Sequence, residues 1–130
     1  MSGFYNILDA TAAKTDYTPT VTASGGGAVT TATITGRWMK KSEKVRQVSI
    51  RAVMTDIGTL SGVFRFTLPV NASSDGRYFT YWVGQNLATG VPIYCWVQNG
   101  TGYVSVYNAS GAAPGTSGQN LQFAGEYETV

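Results

Sequence analysis

Hydrophobic and polar residues alternate along most of this chain with a period of two, the spacing of a strand that is dry on one face and wet on the other. Residues 30–41 place Ala32, Ile34, Gly36 and Trp38 on one side and Thr31, Thr33, Thr35, Arg37 and Met39 on the other. After a polar turn at Ser42 and Glu43, residues 44–57 return with Val48, Ile50, Ala52 and Met54 inward and Gln47, Ser49 and Arg51 outward. The two runs predict a hairpin. Residues 60–70 set Leu60, Gly62, Phe64, Phe66 and Leu68 against Val63, Arg65 and Thr67, and close on Pro69. Residues 91–98 and 102–108 flank Asn99-Gly100, a strong short-range hairpin signal. Residues 121–130 form a last strand with Leu121, Phe123, Gly125 and Tyr127 on its inner face.

The interruptions are as telling as the runs. Residues 17–24 read Tyr-Thr-Pro-Thr-Val-Thr-Ala-Ser, and Pro19 lacks the N–H of a central ladder position, so this is an edge strand or a strand start. Gly25, Gly26 and Gly27 then predict a flexible turn; a phosphate-cradling loop would continue with Gly-Lys-Ser/Thr, which is missing here. Residues 77–85 are aromatic on both faces, Tyr78 and Trp82 against Phe79, Tyr81 and Val83. Both faces are therefore expected to be covered, one of them by another subunit. Residues 1–16 lack a clear period, and Phe4, Tyr5, Ile7 and Leu8 make them a candidate anchoring arm. The whole reads as an arm followed by one all-β domain over residues 17–130, an antiparallel sandwich or barrel of about eight strands with no long helix.

Composition narrows the function classes. With 130 residues, 43% of them hydrophobic, the chain suffices for one domain with a real core. A net charge of +2 with 12% charged residues lacks the strong positive field of a nucleic-acid-binding domain, so no nucleic-acid partner is expected. No run of residues has the length and apolarity of a membrane-spanning helix, and the first ten residues lack a basic stretch leading into an apolar one. Cytoplasmic synthesis and no membrane partner are the expectations. There is no histidine and a single cysteine, whereas most triads, metal centres and proton shuttles use one or both. No enzymatic activity, catalytic residue, metal or cofactor is expected. Cys95 reads as a small buried hydrophobe, and Asp9, Asp16, Asp56 and Asp75 have no ligand spacing. Glu126 and Glu128 share one side of the last strand, a carboxylate pair of the kind glycosidases use, although two acids on a solvated strand face are far commoner.

Four motifs in order carry a resemblance. They are Tyr-Thr-Pro-Thr-Val-Thr from Tyr17, Ile-Thr-Gly-Arg-Trp-Met-Lys-Lys from Ile34, Val-Phe-Arg-Phe-Thr-Leu-Pro-Val from Val63, and Gly-Glu-Tyr-Glu from Gly125. In this order the chain resembles a β-rich domain of tailed-bacteriophage fibre, appendage and head-decoration proteins, over residues 17–130. The resemblance implies a jelly-roll-like β-sandwich in the virion, commonly a homotrimer, that holds to other capsid or tail proteins or presents a tip for host-surface polysaccharide. Such domains usually end a long fibre, and these residues leave no room for a shaft. A stand-alone head-fibre, decoration or short-fibre subunit is therefore the expectation.

Two clusters are candidates for the contacts. Arg37, Lys40, Lys41, Lys44, Arg46 and Arg51 lie in one hairpin beside a single acid, Glu43; they form either a docking surface for an acidic partner or a solvated tip whose lysines discourage edge pairing. Tyr81, Trp82, Tyr94, Trp96, Tyr103 and Tyr107, with Tyr78, come from three successive strands. Exposed Tyr and Trp bury large area at little rotamer cost, which suits subunit interfaces and core, and they also stack on sugar faces. Trp38 faces the apolar side and is expected to pack in the core.

Overall fold

The computed structural model describes residues 14–74 and 81–129. Nine strands form within them: β1 (Thr15–Tyr17), β2 (Val21–Ala23), β3 (Thr31–Ser42), β4 (Val45–Asp56), β5 (Phe64–Thr67), β6 (Tyr81–Asn86), β7 (Val91–Val97), β8 (Tyr103–Tyr107) and β9 (Gln119–Glu128). All pairings are antiparallel, in one sheet of order β1-β3-β4-β9-β6-β7-β8-β5-β2. The expected all-β antiparallel class is thus observed, as one continuous curled sheet.

The curl follows from connectivity. β1 and β2 occupy opposite edges of the sheet, yet only residues 18–20 separate them. A flat sheet would hold those edges about 38 Å apart at the usual strand spacing, while the chain from Tyr17 to Val21 reaches at most about 14 Å. The sheet must therefore roll up into a half-barrel until its edges approach. Thr67 of β5 ties them: its carbonyl accepts from the Tyr17 hydroxyl at 3.0 Å, and its Oγ1 accepts from the Thr20 N–H at 2.9 Å. Nine strands appear instead of about eight because the chain leaves the sheet around Pro19, so that β1 and β2 form separate short strands at opposite edges.

Inside the curl lies one core. Val48, Ile50, Ala52 and Met54 of β4, Leu121, Phe123 and Tyr127 of β9, Ile93, Cys95 and Val97 of β7, and Phe64 and Phe66 of β5 are all buried, in the phase that the alternation predicts. Phe66 and Phe123 come from strands that are not neighbours in the sheet, and their rings meet at 5.2 Å and 58° across the core, a favoured tilted geometry. The inner side chains of β3 are covered less: Ala32, Ile34 and Trp38 are half-buried against the cluster.

Two expectations are adjusted. The run over residues 60–70 yields only the four residues of β5, because the backbone before it bonds to the glycine turn instead. Gly25 N–H donates to the Ser61 carbonyl at 2.7 Å and Ser61 N–H to the Gly26 carbonyl at 3.2 Å, so a turn expected to be flexible is pinned from both sides. The Asn99-Gly100 hairpin forms, with Val97 opposite Val104. Its turn, however, has Gly100 alone at positive φ (73°) and no non-glycine residue there, so it is not the type I′ turn that needs two such residues.

Candidate functional site: the outer face of the sheet

Period-two alternation that sends Val48, Ile50, Cys95 and Phe123 inward sends Arg51, Trp96 and Ala124 outward, so the outer face is the surface the sequence leaves for function. It divides into an aromatic strip on β6–β8 and a polar, basic area on β3, β4 and β9.

On the strip, Tyr81 stands opposite Trp96, Val83 opposite Tyr94, and Tyr94 opposite Tyr107. Tyr81 is 64% exposed and Val83 66%, while Trp96 keeps 38% of its surface in water. The Tyr81 and Trp96 rings lie 6.3 Å apart and 7° from parallel; Tyr94 and Tyr107 are also 6.3 Å apart, at 28°. Burial raises the Tyr107 phenol above its ordinary pKa, with Tyr81 and Cys95 adding to it. Tyr103 is half-buried, with the Arg65 guanidinium 4.9 Å above its ring. Trp82, grouped with these residues by sequence, is turned into the core instead: it packs 6.4 Å from Tyr127 and its Nε1–H donates to the Glu126 carbonyl at 2.9 Å. Tyr78 and Phe79 lie outside the described residues, as do Phe4, Tyr5, Ile7 and Leu8 of the expected arm. Thr15 and Asp16, assigned to that arm, belong to β1.

The basic hairpin does not present one charged face. Arg37 and Lys41 share the outer face with Met39, whereas Lys40 and Arg46 stand opposite each other in the inward phase near the hairpin end. The Arg46 guanidinium lies 5.9 Å over the Trp38 ring and donates to the carbonyls of Ser42 and Glu43 at 3.1 and 3.3 Å, so it closes an end of the core. The acids are more numerous than Glu43 alone, since tertiary pairing brings two in from elsewhere. Asp16 Oδ1 accepts from Arg37 Nε at 2.9 Å, Glu126 Oε1 from Lys41 Nζ at 2.7 Å, and Glu43 sits 3.6 Å from Lys40. These exposed pairs are worth little individually, but they leave the hairpin far less positive than its sequence suggests. Glu126 is thereby engaged as the partner of Lys41.

Beside β1 the outer face is hollowed into a groove of about 680 Å³, lined by Asp16, Thr18, Thr35, Arg37, Ser49, Arg51 and Gln122 among others. Sequence reasoning counted Arg51 with the hairpin and Asp16 as scattered. The outward phase of Thr35, Ser49 and Arg51 was visible in the alternation; their meeting with β1 and β9 was not. Among the described residues no three His, Cys, Asp or Glu side chains come together as a metal site, and no helix is long and apolar enough to cross a membrane. Burial pushes the Cys95 thiol up to about 12, which suits a packing role.

Comparison with protein-family models, curated proteins and solved structures found no significant match.

Proposed function

We propose that this chain is a non-enzymatic accessory subunit of a virus particle, a head-fibre, decoration or short-fibre component that assembles as a homotrimer. The observation that carries the assembly is the exposed strip of Tyr81, Val83, Tyr94 and Trp96 on β6 and β7. The proposed occupant is a second copy of the chain. Aromatic side chains are enriched at the cores of subunit interfaces and charged ones depleted, and the described side chains of this strip carry no charge. In this reading the two halves of the curled sheet act as a jelly-roll-like sandwich, and residues 1–13 hold it to a neighbouring capsid or tail protein. Placement on a tailed bacteriophage rests on the order of the four sequence motifs. Light scattering tests the assembly: the purified chain is expected to be trimeric at micromolar concentration and monomeric as Trp96→Ala/Tyr81→Ala. A wild-type monomer under those conditions would remove the interface.

A second reading is favoured by one observation, the near-parallel exposed rings of Tyr81 and Trp96. Paired flat rings are a platform for a sugar face, so the chain would be a receptor tip binding host-surface polysaccharide. A glycan array with wild type, Tyr94→Ala and Trp96→Ala separates the two. Specific binding lost in the variants selects the receptor tip; an array without signal leaves assembly as the role of the strip.

A further inference from the structure

The groove beside β1 has a chemistry unlike that of the aromatic strip. Thr35 faces Arg51 across β3 and β4, Arg37 faces Ser49, and Arg51 has Gln122 of β9 on its other side. Asp16 and Thr18 line it along the edge. Two guanidiniums thus share one hollow with one carboxylate. Asp16 is taken by Arg37, and Arg51 has no carboxylate partner among the described residues. The groove therefore holds an uncompensated cation among hydroxyls and an amide.

Each component points to the same kind of ligand. A guanidinium presents a planar fork of N–H donors that matches a carboxylate with two parallel hydrogen bonds. Thr18, Thr35, Ser49 and Gln122 supply the mixed donors and acceptors that sugar hydroxyls require. The volume of about 680 Å³ falls among those of small-ligand sites. The Arg37–Asp16 pair leaves 61% and 78% of its two side chains exposed, and a pair so solvated is held weakly, so Arg37 is free to turn to a second acid group. Gln122 stands opposite Gln85 of β6, the strand that carries Tyr81 and Val83. The groove ends at Gln122, and Val83 lies two residues from Gln85 on the same face of β6.

We propose that this groove binds a carboxylate-bearing saccharide, a hexuronic acid or a similar acidic sugar. Arg51 clamps its carboxylate, Arg37 serves as a second, exchangeable cation, and the rings of β6 and β7 stack on a sugar further along the chain. This inference rests on the receptor-tip reading and specifies its ligand class.

Calorimetric titration of the full chain with oligogalacturonate, and with the same oligosaccharide after reduction of its carboxylates, tests it. The acidic form is expected to bind, more weakly as salt rises, and the reduced form at least ~10-fold more weakly. Arg51→Ala loses roughly 10- to 100-fold in affinity and Arg51→Lys, which keeps the charge without the fork, loses less. Asp16→Asn frees Arg37 and strengthens binding, a gain that a damaged fold does not produce. Equal binding of both forms, abolished by Trp96→Ala, would overturn the groove and leave the receptor tip standing. Binding of neither form at millimolar concentration would overturn the groove proposal, while the receptor-tip reading stands or falls on the glycan array. Inorganic phosphate competing as tightly as the saccharide would reduce the groove to a site for simple anions and overturn the proposal.

Discussion

At the residue scale, Tyr127 joins two distant segments through one phenol. It is 1% exposed, its hydroxyl donates to the Val70 carbonyl at 2.7 Å, and it accepts from the Val70 N–H at 3.3 Å. Burial pushes this group up to about 12, against the opposing effects of the Val70 bond and Arg46. Burial likewise raises Cys95 from 9.0 to about 12, and raises Tyr17 with a further contribution from Tyr127. All three keep their protons in the fold at a pH where the unfolded chain loses them, so the unfolded state binds fewer protons and stability falls as pH rises. The stabilisation is complete below pH 9 and should be lost progressively from pH 9 to about 12. Urea midpoints measured from pH 8 to 11 test this, and a flat series would exclude it. Gly125 yields a second prediction. A Cβ added there would enter the Trp82 indole, displacing a buried ring and the bond from its Nε1 to Glu126. Gly125→Ala should cost about 2–4 kcal/mol by chemical denaturation. The inward phase of Gly125 is legible in the last strand. Among aromatics that suit interface or core, Trp82 is assigned to the core only by the structure, because a run with rings in both phases does not say which face is dry.

At the element scale, the short strands at the two edges matter more than their length suggests. β1 pairs only with Gly36, Arg37 and Trp38, and β2 only with Phe64, Arg65 and Phe66, yet together they bring the edges of a nine-strand sheet within reach of each other. The Tyr17 hydroxyl bond to Thr67 spans that closure. Tyr17→Phe keeps the ring and removes the bond, so it should lower stability by about 0.5–1.5 kcal/mol in urea; no change would mean that the closure holds through backbone contacts alone. Pro19 made an edge strand or a strand start readable, because a residue without an N–H has no place in the middle of a ladder; two separate strands at opposite edges were not readable. The hairpins β3–β4 and β7–β8 were readable too, since their signals are local. That β9 inserts between β4 and β6 was not, because alternation is the same in every strand and carries no partner identity.

At the scale of the whole molecule, the curled sheet spends its inner face on a single core and leaves its outer face free to differentiate into an aromatic strip and a polar groove. Changes on the outer face should therefore separate binding from folding. Trp96→Ala should shift stability by within about 1 kcal/mol while removing assembly or glycan binding; a large loss of stability would mean that the ring is structural. Under the proposed role as a particle subunit, truncating residues 2–13, which spares β1, should give particles that lack the subunit. Particles that still carry it would place the anchor elsewhere. The all-β antiparallel class, the inward and outward phase of β3, β4, β5, β7 and β9 and the break at Pro19 follow from the sequence by itself, because they depend on residues two apart and on the backbone chemistry of single residues. The strand order, the curl, the pairing of Arg37 with Asp16 and Lys41 with Glu126, and the grouping of Arg51, Ser49 and Gln122 in one groove are decided only in the tertiary structure. Each depends on which strands lie side by side, and that is set by the packing of the whole core and the short link between the sheet edges.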